Sequence, residues 1–332
     1  MTPAPRRIQV FVAMPPRALL LDVAGPIEAL RKANLEQSAV RFDVAYVAPA
    51  PSPRTSVGLR LQDLGPLPCW VAEGAWVVLP GATDFPLGEI SSTLDDEARQ
   101  TDELVAWLSA VARPGVKLIS ICSGALLAAR AGLLDGRACT THHSEIDELA
   151  RLAPTARVLA DRLFVEDGDL WTSAGVTTGV DLMLHLIARE AGPLTALAVA
   201  RFLVVYIRRS GGDPQLSPWL EGRNHTHPAI HRAQDAVVAE PARPWSVDAL
   251  AREAGASPRN LSRLFNEHAG CSVTDFVNRM RVALARDMVA GSRLDMETVA
   301  ARVGFGSARQ LRRAWGRHYA TPPTASRAFS EY

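Results

Sequence analysis

An α/β parallel sheet sandwiched by helices, followed by an all-α domain with two helix-turn-helix units, is the fold class that this sequence predicts. Three observations predict it. Short apolar β runs alternate with helical patterns over the first 190 residues. One helix-turn-helix pattern occurs twice between residues 245 and 327. At 332 residues, 48% hydrophobic and 21% charged, the chain is long enough for two separate cores.

The strand-like runs are 8–13, 42–48, 75–79, 117–121 and 157–159, most of them bounded by Pro or Gly. Helical patterns cover 22–34, 95–112, 124–131, 142–152 and 178–190. Such alternation implies a parallel sheet whose ligands sit at the carboxyl ends of the strands. In V-K-L-I-S-I-C-S-G a buried strand runs into Cys122, Ser123 and Gly124 and then into a helix. That elbow places Cys122 at a strand tip beside a helix N-terminus, where N–H groups and the helix dipole favour thiolate. A buried, inert cysteine is the alternative.

The joint follows. Residues 195–207 read as a strongly apolar helix, a candidate dimer or interdomain contact and equally an ordinary core helix. Gly211, Gly212, Pro214 and Pro218 then make a turn-rich connector. His225, His227 and His231 have no Cys or carboxylate at ligand spacing, so a solvated linker is expected and no metal. A helix resumes over 225–238. The expected organisation is a domain over 1–192, a connecting helix and linker over 193–240, and a second domain over 241–332.

In the first helix-turn-helix copy, Val247, Leu250, Ala251 and Ala254 make one apolar helix face. Gly255 suits the left-handed turn, Ser257 the N-cap and Pro258 the first helical position. Leu261, Leu264 and Phe265 point the next helix inward, leaving Arg259, Asn260, Ser262 and Arg263 outside. The second copy repeats this with Val299, Ala300, Val303, Gly304 and Ser307, and exposes Arg309, Gln310, Arg312 and Arg313. Arg pairs with guanine and Asn or Gln with adenine in a major groove. A helical pattern over 273–290 links the copies; its buried side is Phe276, Met280, Ala283, Leu284 and Met288. A rigid link would hold two reading helices about 34 Å apart, one turn of B-DNA. From residue 241 onward there are 14 Arg against 8 Asp and Glu, a net +6 on a chain of net +1. A basic end on an otherwise acidic chain is the footprint of nucleic-acid binding.

Residues 245–327 resemble the AraC/XylS family of transcriptional regulators, with a signature running from Gly304 to Arg327. Ala320 stands where that family usually has Gly, Leu311 and Trp315 where it has Phe, Ser326 where it has Tyr, and Val273 where Pro is common. None of these removes an outward Arg. Residues 8–190 resemble the PfpI-like branch of the class I glutamine amidotransferase superfamily. The segments that carry this are L-L-D-V-A-G-P-I-E-A-L, V-V-L-P-G-A-T-D-F, I-C-S-G and A-C-T-T-H-H. The resemblance implies a flavodoxin-like, amidotransferase-like sheet. It also implies a site of Asp22, Gly81, Cys122, Ser123 and His142, with His143 beside it; in the related isocyanide hydratases an Asp and a Cys are the working pair. Three readings stay open: chemistry on Cys122 with Gly81 and Ser123 amides as oxyanion donors, a ligand pocket without turnover, and a structural role.

The combination resembles the GlxA family of regulators across nearly the whole chain. It implies a DNA-binding regulator, not an enzyme, that senses a small metabolite, needs no cofactor, binds double-stranded promoter DNA and forms a homodimer. The rivals are an isocyanide-hydratase-type enzyme carrying a DNA-binding domain and a nucleoid-associated binder with no effector. Cys69, Cys122, Cys139 and Cys271 have no close metal-type spacing and read as reduced thiols. The absence of a signal-like apolar stretch and of any 18-residue apolar run implies a cytoplasmic protein off the membrane.

Overall fold

The computed structural model describes residues 4–87, 94–175, 177–205, 211, 215, 225–319 and 322–323. The chain divides into two compact units, residues 1–215 and 216–332. Gly212, Pro214, Pro218, Ala320, Ser326 and Arg327 of the sequence reading lie outside the described residues.

The first unit runs β1 (Arg6–Ala13), α1 (Leu20–Glu36), β2 (Val40–Val47), β3 (Trp76–Leu79), α2 (Leu94–Val111), β4 (Lys117–Ile121) and α3 (Gly124–Arg130). After these come β5 (Ala138–Cys139), a 3-10 turn (His143–Glu145), α4 (Ile146–Leu152), β6 (Arg157–Val158), β7 (Phe164–Asp167), β8 (Leu170–Ser173), α5 (Thr177–Ala191) and α6 (Pro193–Leu203). Six strands form one sheet in the order β2-β1-β3-β4-β8-β7. All its pairings are parallel except β7 with β8.

Successive side chains of a strand face opposite ways, so a sheet covered on both faces is apolar throughout. Val10, Val12, Trp76, Val78, Ile119 and Ile121 enter one core with α1, α5 and α6. Phe11, Ala13, Val77, Leu79 and Leu118 enter another with α2, α3 and α4. The run expected at 157–159 is not part of this sheet; β6 pairs only with β5 in a separate two-stranded sheet. The place beside β4 goes to β8, reached through a tight hairpin in which Asp167 pairs with Leu170 and Gly168 takes φ +60°. An Asp-Gly pair between apolar runs is the signal of such a hairpin.

The stretch expected to connect the halves is shared between them. In α6, Ala196, Val199 and Ala200 belong to the first unit's core, while Leu194, Leu197 and Phe202 face outward. The second unit starts with α7 (Pro228–Ala239), whose Ile230, Ala233 and Val237 are buried in that unit's own core.

Next are α8 (Val247–Ala254), α9 (Pro258–Leu264), a π turn (Phe265–Ala269), α10 (Val273–Gly291), α11 (Met296–Arg302) and α12 (Ala308–Trp315). Helices α8–α9 and α11–α12 are the two helix-turn-helix units, each with its own small core. Helix α10 serves both: Phe276, Val277 and Met280 join the first core, Val282, Ala285 and Val289 the second. Its 19 residues make a continuous rod of about 28 Å. Of the expected buried side, Phe276, Met280 and Ala283 are buried, while Leu284 and Met288 are half-buried against the second core. No helix among the described residues is long and apolar enough to cross a membrane.

Candidate ligand site and candidate nucleic-acid interface

Three strand tips converge at the carboxyl end of the parallel sheet. Asp22 follows β1 in the first turn of α1, Gly81 follows β3, and Cys122 follows β4. Asp22 is wholly buried and Cys122 is buried. The Gly81 N–H donates to Asp22 Oδ2 at 3.2 Å. The Ser123 hydroxyl accepts from the Ala82 N–H at 2.9 Å and donates to the Ala82 carbonyl at 3.0 Å, pinning the same loop to the elbow. A β-carbon at 81 would lie 2.8 Å from Asp22 Oδ2 and 3.0 Å from Cys122 Cβ, so only glycine fits this closeness without a shift.

Cys122 itself holds φ +55°, a left-handed conformation that costs a non-glycine residue energy. Its surroundings hold it there: its N–H donates to the Ser173 carbonyl at 3.0 Å and its carbonyl accepts from Thr141 Oγ1 at 2.9 Å.

The elbow does not favour thiolate as the helix-dipole argument expected. Burial, and then the negative charge of Asp22, push the Cys122 thiol up to about 12. The Ser123 N–H opposes this; the charge of Glu145 and the hydrogen bond with Asp22 add to it. Helix α3 has only seven residues, and desolvation beside a carboxylate outweighs its dipole. The backbone N–H of Gly81 donates to Asp22, while that of Ser123 acts on the sulfur only by opposing the rise in its pKa.

His142 is half-buried before the 3-10 turn. Its Nδ1 lies 2.8 Å from Ser144 Oγ, which donates to Glu145 Oε1 at 2.8 Å, and its ring stacks on His143 with centroids 4.2 Å apart. Burial, then His143, lowers its pKa. Its hydrogen bonds among the described residues are to Ser144, not to Cys122. Ser144, Glu145 and Thr141 were not among the expected site residues; the T-T pair and the H-H-S-E tetrapeptide after it are the signal that marks them. Gln215 was also missed: its amide donates to the Thr141 carbonyl at 2.8 Å and the Ala160 carbonyl at 2.9 Å.

In the second unit Ser257 Oγ accepts from the Asn260 N–H and Ser307 Oγ from the Gln310 N–H, so both serines cap their helices. Gly255 takes φ +64° and Gly304 φ +87° at the turns. Arg259, Asn260, Arg263, Arg309, Gln310, Arg312 and Arg313 are exposed, and Ser262 is half-buried. Four of these groups are partly engaged. Arg263 donates to Glu267 Oε2 at 2.5 Å and to Asn260 Oδ1 at 3.1 Å. Ser262 Oγ donates back to the Pro258 carbonyl at 3.0 Å. Gln310 Oε1 accepts from the Gly306 N–H at 3.0 Å, which leaves its amide N–H groups for any outside partner.

The three joint histidines are not a solvated linker. His225 and His231 stack at 4.4 Å, and His268 lies 5.4 Å from His227 and 6.3 Å from His225, ring centre to ring centre. Helix α7 packs on the first helix-turn-helix core and brings them there. Among the described residues no group of three or more His, Cys, Asp or Glu is placed to hold a metal ion.

Residues 6–189 match the DJ-1/PfpI family and residues 250–328 match a helix-turn-helix domain. The HTH-type transcriptional regulator GlxA of Rhizobium meliloti is 30% identical over 314 residues, 93% of this chain and 92% of its own. The HTH-type transcriptional regulator GbdR of Pseudomonas aeruginosa is 30% identical over 227 residues; the match takes 68% of this chain but only 62% of that regulator's length. An isonitrile hydratase of Pseudomonas putida is 31% identical over 192 residues, 58% of this chain and 76% of its own.

Proposed function

The chain belongs to the DJ-1/PfpI family and carries an AraC-type helix-turn-helix domain behind it, and on that premise we propose a sequence-specific DNA-binding transcriptional regulator whose first unit senses a small metabolite. One observation carries the DNA half. Two Ser-capped helices, α9 and α12, expose arginines at matching positions and are tied by one unbroken helix that shares both cores. Arg259, Asn260 and Arg263 in the first helix, and Arg309, Arg312 and Arg313 in the second, are the groups we assign to base edges and phosphates. Ser262 and Gln310 take lesser roles, since each already serves its own helix. Ser307 acts through its cap.

The first unit is read as binding rather than turning over. A thiol pushed up to about 12 is a weak nucleophile at neutral pH, and the Gly81 N–H is engaged by Asp22. Asp22, Gly81, Cys122, Ser123 and His142 then mark the floor and rim of an effector pocket. The mechanism is linkage: an effector that prefers the DNA-competent form shifts the population toward it by no more than its differential affinity. We place the protein in the cytoplasm and expect a homodimer.

Selection of random duplex DNA by the full chain tests this reading. An enriched motif with an affinity that falls steeply with salt is expected. No enrichment, or no salt dependence, would overturn it. A second reading has a specific observation behind it: the buried Asp22 hydrogen-bonds the Cys122 thiol, and one relative is an isonitrile hydratase. Turnover of an alkyl isonitrile by the full chain, abolished in Asp22→Asn, would establish that enzyme reading.

A further inference from the structure

The chain contains its own internal comparison. Taking Phe265 and Trp315 as equivalent, Asn260 matches Gln310, Arg263 matches Arg313, and Glu267 matches Arg317. The turn that follows the first reading helix therefore carries an acid where the turn after the second carries a base. Helix α12 and the two residues after it contain no carboxylate at all, but four arginines: Arg309, Arg312, Arg313 and Arg317.

Glu267 is not a bystander. Residues 260, 263 and 267 fall three and four apart and share one exposed stripe. Along it Arg263 is gripped at both ends of its fork, Nη1 by Glu267 Oε2 at 2.5 Å and Nη2 by Asn260 Oδ1 at 3.1 Å. Nε–H and one hydrogen on each terminal nitrogen stay free to donate outward. Both partners are more than half exposed, so the pair adds little to helix stability. Its larger consequence lies at the DNA surface.

We propose that Glu267 is a specificity-determining positioning residue, which makes the first unit the one that discriminates sequence while the second supplies most of the phosphate affinity. The inference rests on the regulator reading. Two effects produce it. Fixing the Arg263 side chain before docking removes an ordering cost that is otherwise incurred on binding, and does so only for the pose that the fork allows. A carboxylate on the DNA-facing stripe is also repelled by phosphate, so loose, non-specific seating of α9 is penalised. Arg317 imposes neither effect; its nearest acid among the described residues is Asp275, with N and O 3.6 Å apart.

The test uses the full chain at pH 8, with a library of random duplexes as the probe. Wild type, Glu267→Gln, Glu267→Ala and Arg317→Ala are compared for enriched motif, for affinity toward an unrelated duplex, and for salt dependence. Glu267→Gln is expected to bind unrelated DNA roughly threefold to tenfold tighter, to lose about tenfold in discrimination, and to blur one half of the motif only. Glu267→Ala should move the same way. Arg317→Ala should weaken all duplexes alike and reduce the salt slope by about one. Thermal midpoints close to wild type show that the fold is intact; should Glu267→Ala fail to fold, Glu267→Gln carries the test. A wild-type motif that Glu267→Gln selects unchanged, with the same discrimination, overturns this inference alone. No wild-type motif overturns the regulator reading, and this inference with it.

Discussion

Gly175 sits so close to Cys122 that a β-carbon at 175 would lie 2.2 Å from Cys122 Cβ and 2.6 Å from its sulfur. The glycine also holds φ +90°, a conformation that side chains disfavour. The loop after β8 thus closes the site from one side by direct backbone contact. Gly175→Ala is expected to destabilise the first unit by about 3 kcal/mol, combining overpacking with backbone strain. Thermal or urea unfolding measures it; a midpoint equal to wild type would show that the loop and the cysteine are not in contact.

The thiol of Cys122 should be slow to alkylate. Exposed Cys69 is expected to react first with iodoacetamide at pH 7.5, and Cys122 last or only on unfolding. Asp22→Asn removes the second cause of the raised thiol and leaves the first, burial, so Cys122 should then react faster, by roughly tenfold. Peptide mass spectrometry over time reads both. Faster labelling of Cys122 than of Cys69 in the native protein would contradict the assigned protonation state.

Acid should weaken the fold below neutrality. Burial is the first cause that lowers both His142 and His185. Unfolded, each takes its proton near the ordinary histidine value of about 6.5. Falling pH therefore protonates the unfolded chain first, and stability declines as pH drops through that value toward the lower folded one. Above pH 7 these groups contribute no slope. A thermal midpoint that falls between pH 7.5 and 5.5, less so in His185→Gln, is expected; a midpoint rising toward pH 5.5 would reverse the argument.

The matching turn glycines are unequal. Gly255 at φ +64° has room for a β-carbon, which would meet Arg232 Nη2 at an ordinary 3.5 Å, so Gly255→Ala is expected to cost about 1 kcal/mol of backbone strain alone. Gly304 at φ +87° presses on Ala242, whose carbonyl oxygen would lie 2.6 Å from a new β-carbon. Gly304→Ala is expected to cost more, about 2–4 kcal/mol. Equal losses from the two substitutions in chemical denaturation would remove the distinction.

Much of this was written in periodicity and turn chemistry. The apolar run at 117–121 and the Cys-Ser-Gly elbow gave β4 and α3, and Ser257-Pro258 gave the start of α9, because caps and short buried strands are set by local residues. The β7–β8 hairpin was missed although Asp167-Gly168 announces it; its strands are four residues each, too short for an alternation count to stand out. The protonated state of Cys122 was not legible, because burial of the elbow and the approach of Asp22, 100 residues away in the chain, arise only in three dimensions. The grip of Glu267 on Arg263 was open to a charge-pattern reading at i, i+4.

Helix α10 belongs to two cores at once, so it acts as a phase-setting ruler between the reading helices. Each residue added to an α-helix turns everything beyond it by about 100°. One alanine inserted near the exposed Asp287 would therefore carry the second helix-turn-helix around the axis, off the face of a duplex that the first unit still grips. Seven would bring it back to within about 20°, yet one further repeat along. DNA binding that survives a single insertion would mean that the two units work separately, and that the rod between them measures nothing.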